Sequence, residues 1–439
     1  MNTGGGRLAT GWREITSVGV AATAAFTLMM LACVFVAVAV PRQDLHMQTR
    51  ALQRTFSTVP AVEKSVVASA DWSHLDSDPV SPDYTLSAAD IDTQTATLAQ
   101  GLAGIPVPLA PPSADWSGIT SAYGPVSGAG PRANGGVPPE LEIAYRSALG
   151  QHSQLVTGHR PDRSSVTLNP GVPLGVPGES AVRGGTFEVA VTAPTAARFG
   201  VRVGSRLTAQ DGITLVVTGI IRPADPGSAF WTLDPVVAGP ALGSAGAWMG
   251  AVFVGPNEAG DLQLAFGSPD MKVTWDFPLA LASVTAAAAG QLAAHLNTAA
   301  NEDIAAGDVV GTTQLEPGTI TVSSGLLPPL SAFGQAQAAV DSLLSLLLVS
   351  LAVIGAVIVL LGTYMLAEHR AGEYGVLLAR GASPGQLALQ ALRGVTLVVP
   401  AAAAGSVLAI ILTPGDYVPL AWWLGGGIVL VALAGPPLA

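Results

Sequence analysis

The sequence predicts a membrane protein: four transmembrane α-helices, with a large extracytoplasmic α+β domain between the first and the second. Three observations predict it. Only 11% of the residues are charged, against 49% hydrophobic, whereas soluble domains carry roughly 25% charged residues. No charge falls in Ile15–Pro41, Ser342–Ala367, Gly394–Gly415 or Tyr417–Ala439. Each of these windows can cross about 30 Å of hydrocarbon, which takes roughly 20 helical residues. Between the first two windows, short β-patterned and helix-patterned runs alternate with Pro- and Gly-rich segments.

The first helix is placed at 17–40, after a cytoplasmic segment 1–16. Its apolar run, Val18–Val40, is longer than the roughly 7–15 residues of a signal-peptide core. Ala37-Val38-Ala39 has the letters of a cleavage site but no suitable mature start after it, so the helix reads as an uncleaved anchor. Its orientation is ambiguous by itself, because Arg7 and Arg13 precede it and Arg42, Arg50 and Arg54 follow. The second helix decides. No Lys or Arg occurs from Val273 to Ala367, and His369, Arg370, Arg380 and Arg393 come directly after. Positive charge marks the cytoplasmic end, so the N-terminus is inside and residues 41–330 are outside. Segment 331–367 is a stalk and the second helix, 368–393 a cytoplasmic elbow, 394–413 the third helix, 414–419 an outer loop and 420–439 the fourth. Trp12, Trp422 and Trp423 fall at helix ends, where indoles favour the headgroup region. Gly435-Pro436-Pro437 closes the fourth helix without a basic cluster, which reads as truncation or as part of a longer chain.

The outer segment, about 290 residues, is large enough to build its own core. It must do so without disulfides, because the single cysteine, Cys33, lies in the first apolar run. Residues 43–70 read as helix continuing out of the membrane and then a strand. Residues 76–140 read as loops around short elements. Leu141–Arg146 alternates at period two, as a half-buried strand does, and Pro161–Gly185 is a Pro/Gly-rich excursion. The clearest stretch is Thr186–Pro223. Val189-Ala190-Val191 predicts a strand. Pro194–Phe199 predicts a short helix ended by Gly200. Val203–Ala209 and Ile213–Ile221 predict a strand pair turning at Asp211-Gly212. Ala286–Leu296 predicts a helix.

Glu188–Pro223 resembles the extracytoplasmic core domain of MacB-like permeases. A strand, a short helix, a "vGs" turn and a strand pair ending in "v-x-G-I" recur there, and Gly204, Ser205, Gly219 and Ile220 stand at the matching positions. Leu155–Pro161 is similar to the "l-x-x-G-R-x-P" of that domain, with one residue inserted at His159-Arg160 and a longer excursion after it.

The elbow has its own pattern. Tyr374, Leu377 and Leu378 form one apolar stripe, and Arg370 and Glu373 are spaced to pair. Gly381 suits a helix stop. Ser383, Pro384 and Gln386 supply an N-cap, a first helical position and a capping box. This helix–break–helix resembles the FtsX-like permease signature "R-x-x-E-x-x-L-L-R-A-x-G-A-S-x-x-Q". Arg370, Glu373, Leu377, Leu378, Arg380, Gly381, Ala382, Ser383 and Gln386 match it, with Ala379-Arg380-Gly381 standing where many members have "R-A-x-G". The resemblance implies a permease subunit of an ABC transporter. Its elbow docks on a separate ATPase, with Glu373, Arg380 and Ser383 nearest the contact, and a second permease half completes the machine. The alternative is a membrane-anchored sensor or interaction protein with no ATPase partner.

Chemistry of the chain's own is not expected, and no cofactor or metal is implied. Gly381–Gly385 has the letters of G-x-S-x-G, but a helix precedes it and no His follows His369. Gly128–Ala133 is a loose dinucleotide pattern without the flanking strand and helix. His152 and His159 have no third ligand nearby. No G-x-x-x-x-G-K-[ST] occurs, so ATP hydrolysis falls to a partner. The net charge of −11, with Lys64 and Lys272 the only lysines, leaves no basic stripe for nucleic acid. Membrane lipid is the expected surrounding. The spans carry no acid or base apart from Asp416, at the outer end, so force transmission is favoured over ion conduction.

Overall fold

The computed structural model describes residues 6–71, 87–128, 134–168, 182–266, 271–301, 320–379 and 398–413, with 423, 426 and 427. The chain divides into two units. One holds Gln53–Val284 and Ala288–Ala332; the other holds Met1–Leu52, Thr285–Ala287 and Phe333–Ala439.

The first unit is a large α+β domain on a mixed sheet. Its strands are β1 (Ser65–Asp71), β2 (Trp116–Thr120), β3 (Gly124–Pro125), β4 (Ser127–Gly128), β5 (Glu140–Arg146), β6 (Ser153–Gly158) and β7 (Ser164–Leu168). They continue with β8 (Val182–Thr192), β9 (Arg206–Thr208), β10 (Ile213–Pro223), β11 (Ala241–Leu242), β12 (Trp248–Phe253), β13 (Lys272–Pro278) and β14 (Thr321–Ser323). The sheet runs β14-β1-β13-β2-β5-β12-β8-β10-β9-β4, with β3 on β5, β11 on β12, β6 on β10 and β7 on β8. The β5–β12 and β8–β10 pairs are parallel and the others antiparallel.

The helices are α1 (Gly6–Thr58), α2 (Ala88–Ala103), α3 (Leu149–His152), α4 (Ala193–Phe199), α5 (Ala229–Thr232), α6 (Ala259–Phe266), α7 (Ala286–Asn301), α8 (Leu327–Ala379) and α9 (Val398–Leu412). The β8–α4–β9–β10 run takes the form the sequence predicts. Pro194 opens α4, and Gly200 ends it at φ 65°, a left-handed position that glycine adopts without a Cβ clash. The hairpin differs in detail. Gly204 turns at φ 90° and shortens β9 to Arg206–Thr208, and a 3₁₀ turn at Gln210–Gly212 replaces the tight two-residue connection.

Two further expectations are corrected. Within 76–140 the structure holds a 16-residue helix, α2, in addition to short elements. Its signal is a reciprocal capping box between Ser87 and Asp90, followed by an apolar face of Ile91, Leu98 and Leu102. Strand β5 is not half-buried: every residue from Leu141 to Arg146 is buried, because β2 and β12 flank it and polar side chains are covered too. An aromatic cluster anchors the core. Phe230 lies edge-on to Trp116 and to Trp231, with centroids 5.2 and 5.1 Å apart, and Trp231 meets Phe253 at 5.7 Å.

The second unit is helical. Among the described residues, two helices are long and apolar enough to cross a membrane, Thr27–Thr58 of α1 and Leu327–Ile358 of α8; α9 is a shorter apolar helix. Ala402 and Ala409 of α9 pack on Val34, Val38 and Ala39 of α1. Gly405 allows the approach: a Cβ there would stand 2.6 Å from the Leu31 carbonyl oxygen. Ala401, Gly405 and Ala409 thus form a row of small residues four apart, as in close-packed membrane helices. Further along α1, the Gln48 amide donates to Asp44 (2.8 Å) and to Asp341 of α8 (2.9 Å), and its oxygen accepts from Gln337 of α8 (2.9 Å). Cys33 lies half-buried on α1. The outer loop 414–419 lies outside the described residues, as does the fourth helix, 420–439, except for 423, 426 and 427.

Candidate functional site

Helix α8 joins the two features the sequence singles out. It begins at Leu327 with Pro328 and Pro329 in its first turn, where missing N–H groups cost nothing. It runs unbroken for 53 residues to Ala379, about 80 Å at 1.5 Å per residue. Arg370, Glu373, Leu377 and Leu378 lie in its last turns, though their side chains are outside the described residues. Arg380, Gly381, Ser383 and Gln386 fall in 380–397, also outside them. The break the sequence predicts at Gly381 is therefore not among the described positions.

The middle of α8 is apolar all round. Leu343, Leu346, Val349, Val353, Val357 and Leu361 are all exposed in the isolated chain. A helix with no polar face has no stable arrangement in water, so this stretch requires lipid or other helices around it.

The α+β domain carries a second concentration of unusual residues, which sequence reasoning missed. Arg146, on β5, is 5% exposed. Its guanidinium lies 4.6 Å from the Trp116 ring centroid and 5.3 Å from that of Phe230, and it donates to the Phe230 carbonyl. Burial lowers its pKa to about 10, against the pull of Glu142, Asp234 and Asp276. Glu142, four residues earlier on the same strand face, is 1% exposed. Burial pushes its carboxyl up to about 8; Asp234 adds to the rise, and Arg146 and the Tyr123 hydroxyl oppose it. Tyr123 Oη lies 3.3 Å from Asp234 Oδ1, and burial raises its pKa. Asp276, on β13, is pushed to about 7, again mainly by burial. The signal was present in the sequence: an acid and a base share one face of a strand flanked by β-branched and aromatic residues. Read as alternation, that face was assigned to solvent.

The two widely spaced histidines have structural neighbours. His152 stacks on Phe230 at 4.2 Å, and His159 Nδ1 sits 3.0 Å from the Arg160 carbonyl oxygen. The glycines of the MacB-like resemblance are register partners, Gly158 of β6 facing Gly219 of β10.

No protein-family model matches the sequence, and no curated protein matches it. Among solved structures, the chain is similar to a domain described as part of a permease protein from Porphyromonas gingivalis. The match has 11% identity and covers 59% of this chain and 94% of that one, with a TM-score of 0.24. A likeness at that level does not establish a shared fold.

Proposed function

We propose that this chain is the membrane-spanning permease subunit of an ABC transporter of the FtsX/MacB kind, driven by a separate ATPase. The supporting observation is α8, one uninterrupted helix that leaves the α+β domain at Leu327, passes through the apolar stretch and carries Arg370 and Glu373 near its end. Force applied at the charged end of such a helix reaches its other end without an intervening hinge. In this reading the spans number four, the α+β domain faces outward, and the elbow at 368–393 meets the ATPase in the cytoplasm. The all-round apolar middle of α8 lies in the bilayer, where a second permease half also packs. The small-residue contact of α9 on α1 suits helices that associate in lipid, where close van der Waals packing replaces the hydrophobic drive.

The test is co-purification. Glu373→Ala combined with Arg380→Ala is expected to leave membrane insertion intact and to lose at least nine-tenths of the ATPase recovered with the wild type. Full recovery of the ATPase on the doubly substituted chain excludes the elbow as the docking site.

A further inference from the structure

A cavity of about 360 Å³ opens on one face of the α+β sheet, between β1, β13, β2 and β5. Pockets that hold small molecules begin at roughly this size. Gly118 contributes to its floor. A Cβ there would stand 2.8 Å from the Tyr145 carbonyl oxygen and 3.3 Å from Arg146 Cγ, so the position admits no side chain. The walls carry charged groups from three elements, Glu142 and Arg146 from β5, Lys272 from β13 and Asp234 from the loop after α5, with the Tyr123 hydroxyl added from the loop after β2.

The valences of these groups decide which ligand fits. The Arg146 guanidinium donates to the Phe230 carbonyl and lies against the rings of Trp116 and Phe230. Lys272 is exposed at the rim. The Tyr123 hydroxyl serves both carboxyl groups, 3.3 Å from Asp234 Oδ1 and within reach of Glu142. Glu142 is different. It is 1% exposed and lines the cavity; Tyr123 and Asp234 reach its carboxyl, but its Oε1 has no hydrogen-bond partner among the described residues. A buried carboxyl oxygen left unpaired is unfavourable, and a bound donor removes that cost. The Asp234 carboxylate beside it accepts the Tyr123 hydroxyl and the Val236 amide and lies within hydrogen-bonding reach of the Glu142 carboxyl.

We propose that this cavity is a binding site for a small organic amine, whose ammonium donates to Glu142 and Asp234. The site is independent of the transporter reading, because it needs only the folded α+β domain. It has a proton signature. The Glu142 carboxyl, raised by burial and by Asp234, is largely protonated at pH 7. An ammonium group against it favours the carboxylate, so binding releases a proton to solvent.

Isothermal titration of the full-length chain in detergent with n-butylamine and putrescine, at pH 7 in two buffers of different ionisation enthalpy, tests this. Saturable binding is expected, with up to one proton released per site. Glu142→Gln should abolish the release and weaken binding at least tenfold. Asp234→Asn, on a partly exposed loop side chain, should weaken binding severalfold while keeping part of the release; it serves if the core variant fails to fold. The proposal is overturned if neither amine binds the folded chain, or if both variants bind as wild type. It is equally overturned if acetate binds at the same place and the amines do not, which would assign the cavity to Arg146 and Lys272.

Discussion

Single residues set the limits of the α+β domain most sharply where two strands come too close for side chains. A Cβ on Gly219 would stand 2.4 Å from the His159 carbonyl oxygen, and one on Gly158 would stand 2.0 Å from that of Thr218. Gly158 also holds φ at 83°. Gly219→Ala is therefore expected to lower stability by more than about 2 kcal/mol, as backbone-clash substitutions do, measured by urea unfolding of the full-length chain. Buried acids make a second prediction at this scale. Glu258 is wholly inaccessible; burial pushes its carboxyl up to about 8, against the opposing Gly255 N–H. A carboxyl whose pKa is higher folded than unfolded contributes stability that is full at acid pH and is lost as pH rises towards the folded value. Glu142 and Asp276 act in the same direction. The melting temperature should fall between pH 5 and pH 8.5, and Glu258→Gln should make that fall smaller. The motif glycines at 158, 204 and 219 were readable in the sequence because glycine is the residue that left-handed turns and close strand approaches demand. The buried charges were not, because Glu142 and Arg146 have the letters of a solvent face and only tertiary cover reverses them.

Among elements, local chemistry was legible where it was complete. Pro194 and Gly200 bracket α4, and the strand before it and the one at Ile213 followed from their apolar runs. Helix α2 was overlooked. Its capping box was in plain letters, but Thr and Gln dilute its apolar face, and the surroundings are rich in Pro and Gly. The parallel pairing of β5 with β12 joins residues more than a hundred positions apart, and nothing in a local pattern encodes such a partner. In the helical unit the contact of α9 on α1 depends on the absence of a side chain at 405. Gly405→Leu should force the helices apart and lower the melting temperature of the detergent-solubilised chain by several degrees, with urea unfolding of the α+β domain unchanged. An unaltered melting temperature would show that the two helices do not meet at Leu31.

For the whole molecule, the charge-free windows carried most of the sequence-level reading, because a bilayer imposes one demand that is visible without knowledge of tertiary contacts. The extreme apolarity of α8 is the structural counterpart of that demand. The proposed orientation rests on the Lys and Arg distribution and is open to direct measurement. An impermeant labelling reagent or protease added to intact cells should reach the domain around Trp231 and spare the segment around Tyr374; the opposite pattern would invert the proposed arrangement. The lone thiol of the chain makes a further kind of observation simple. A nitroxide attached at Cys33 needs no background substitutions, so power saturation by oxygen and by a nickel chelate would give its immersion depth directly. In an assembly of two identical copies, the same label would report one spin–spin distance and thereby distinguish paired from solitary chains.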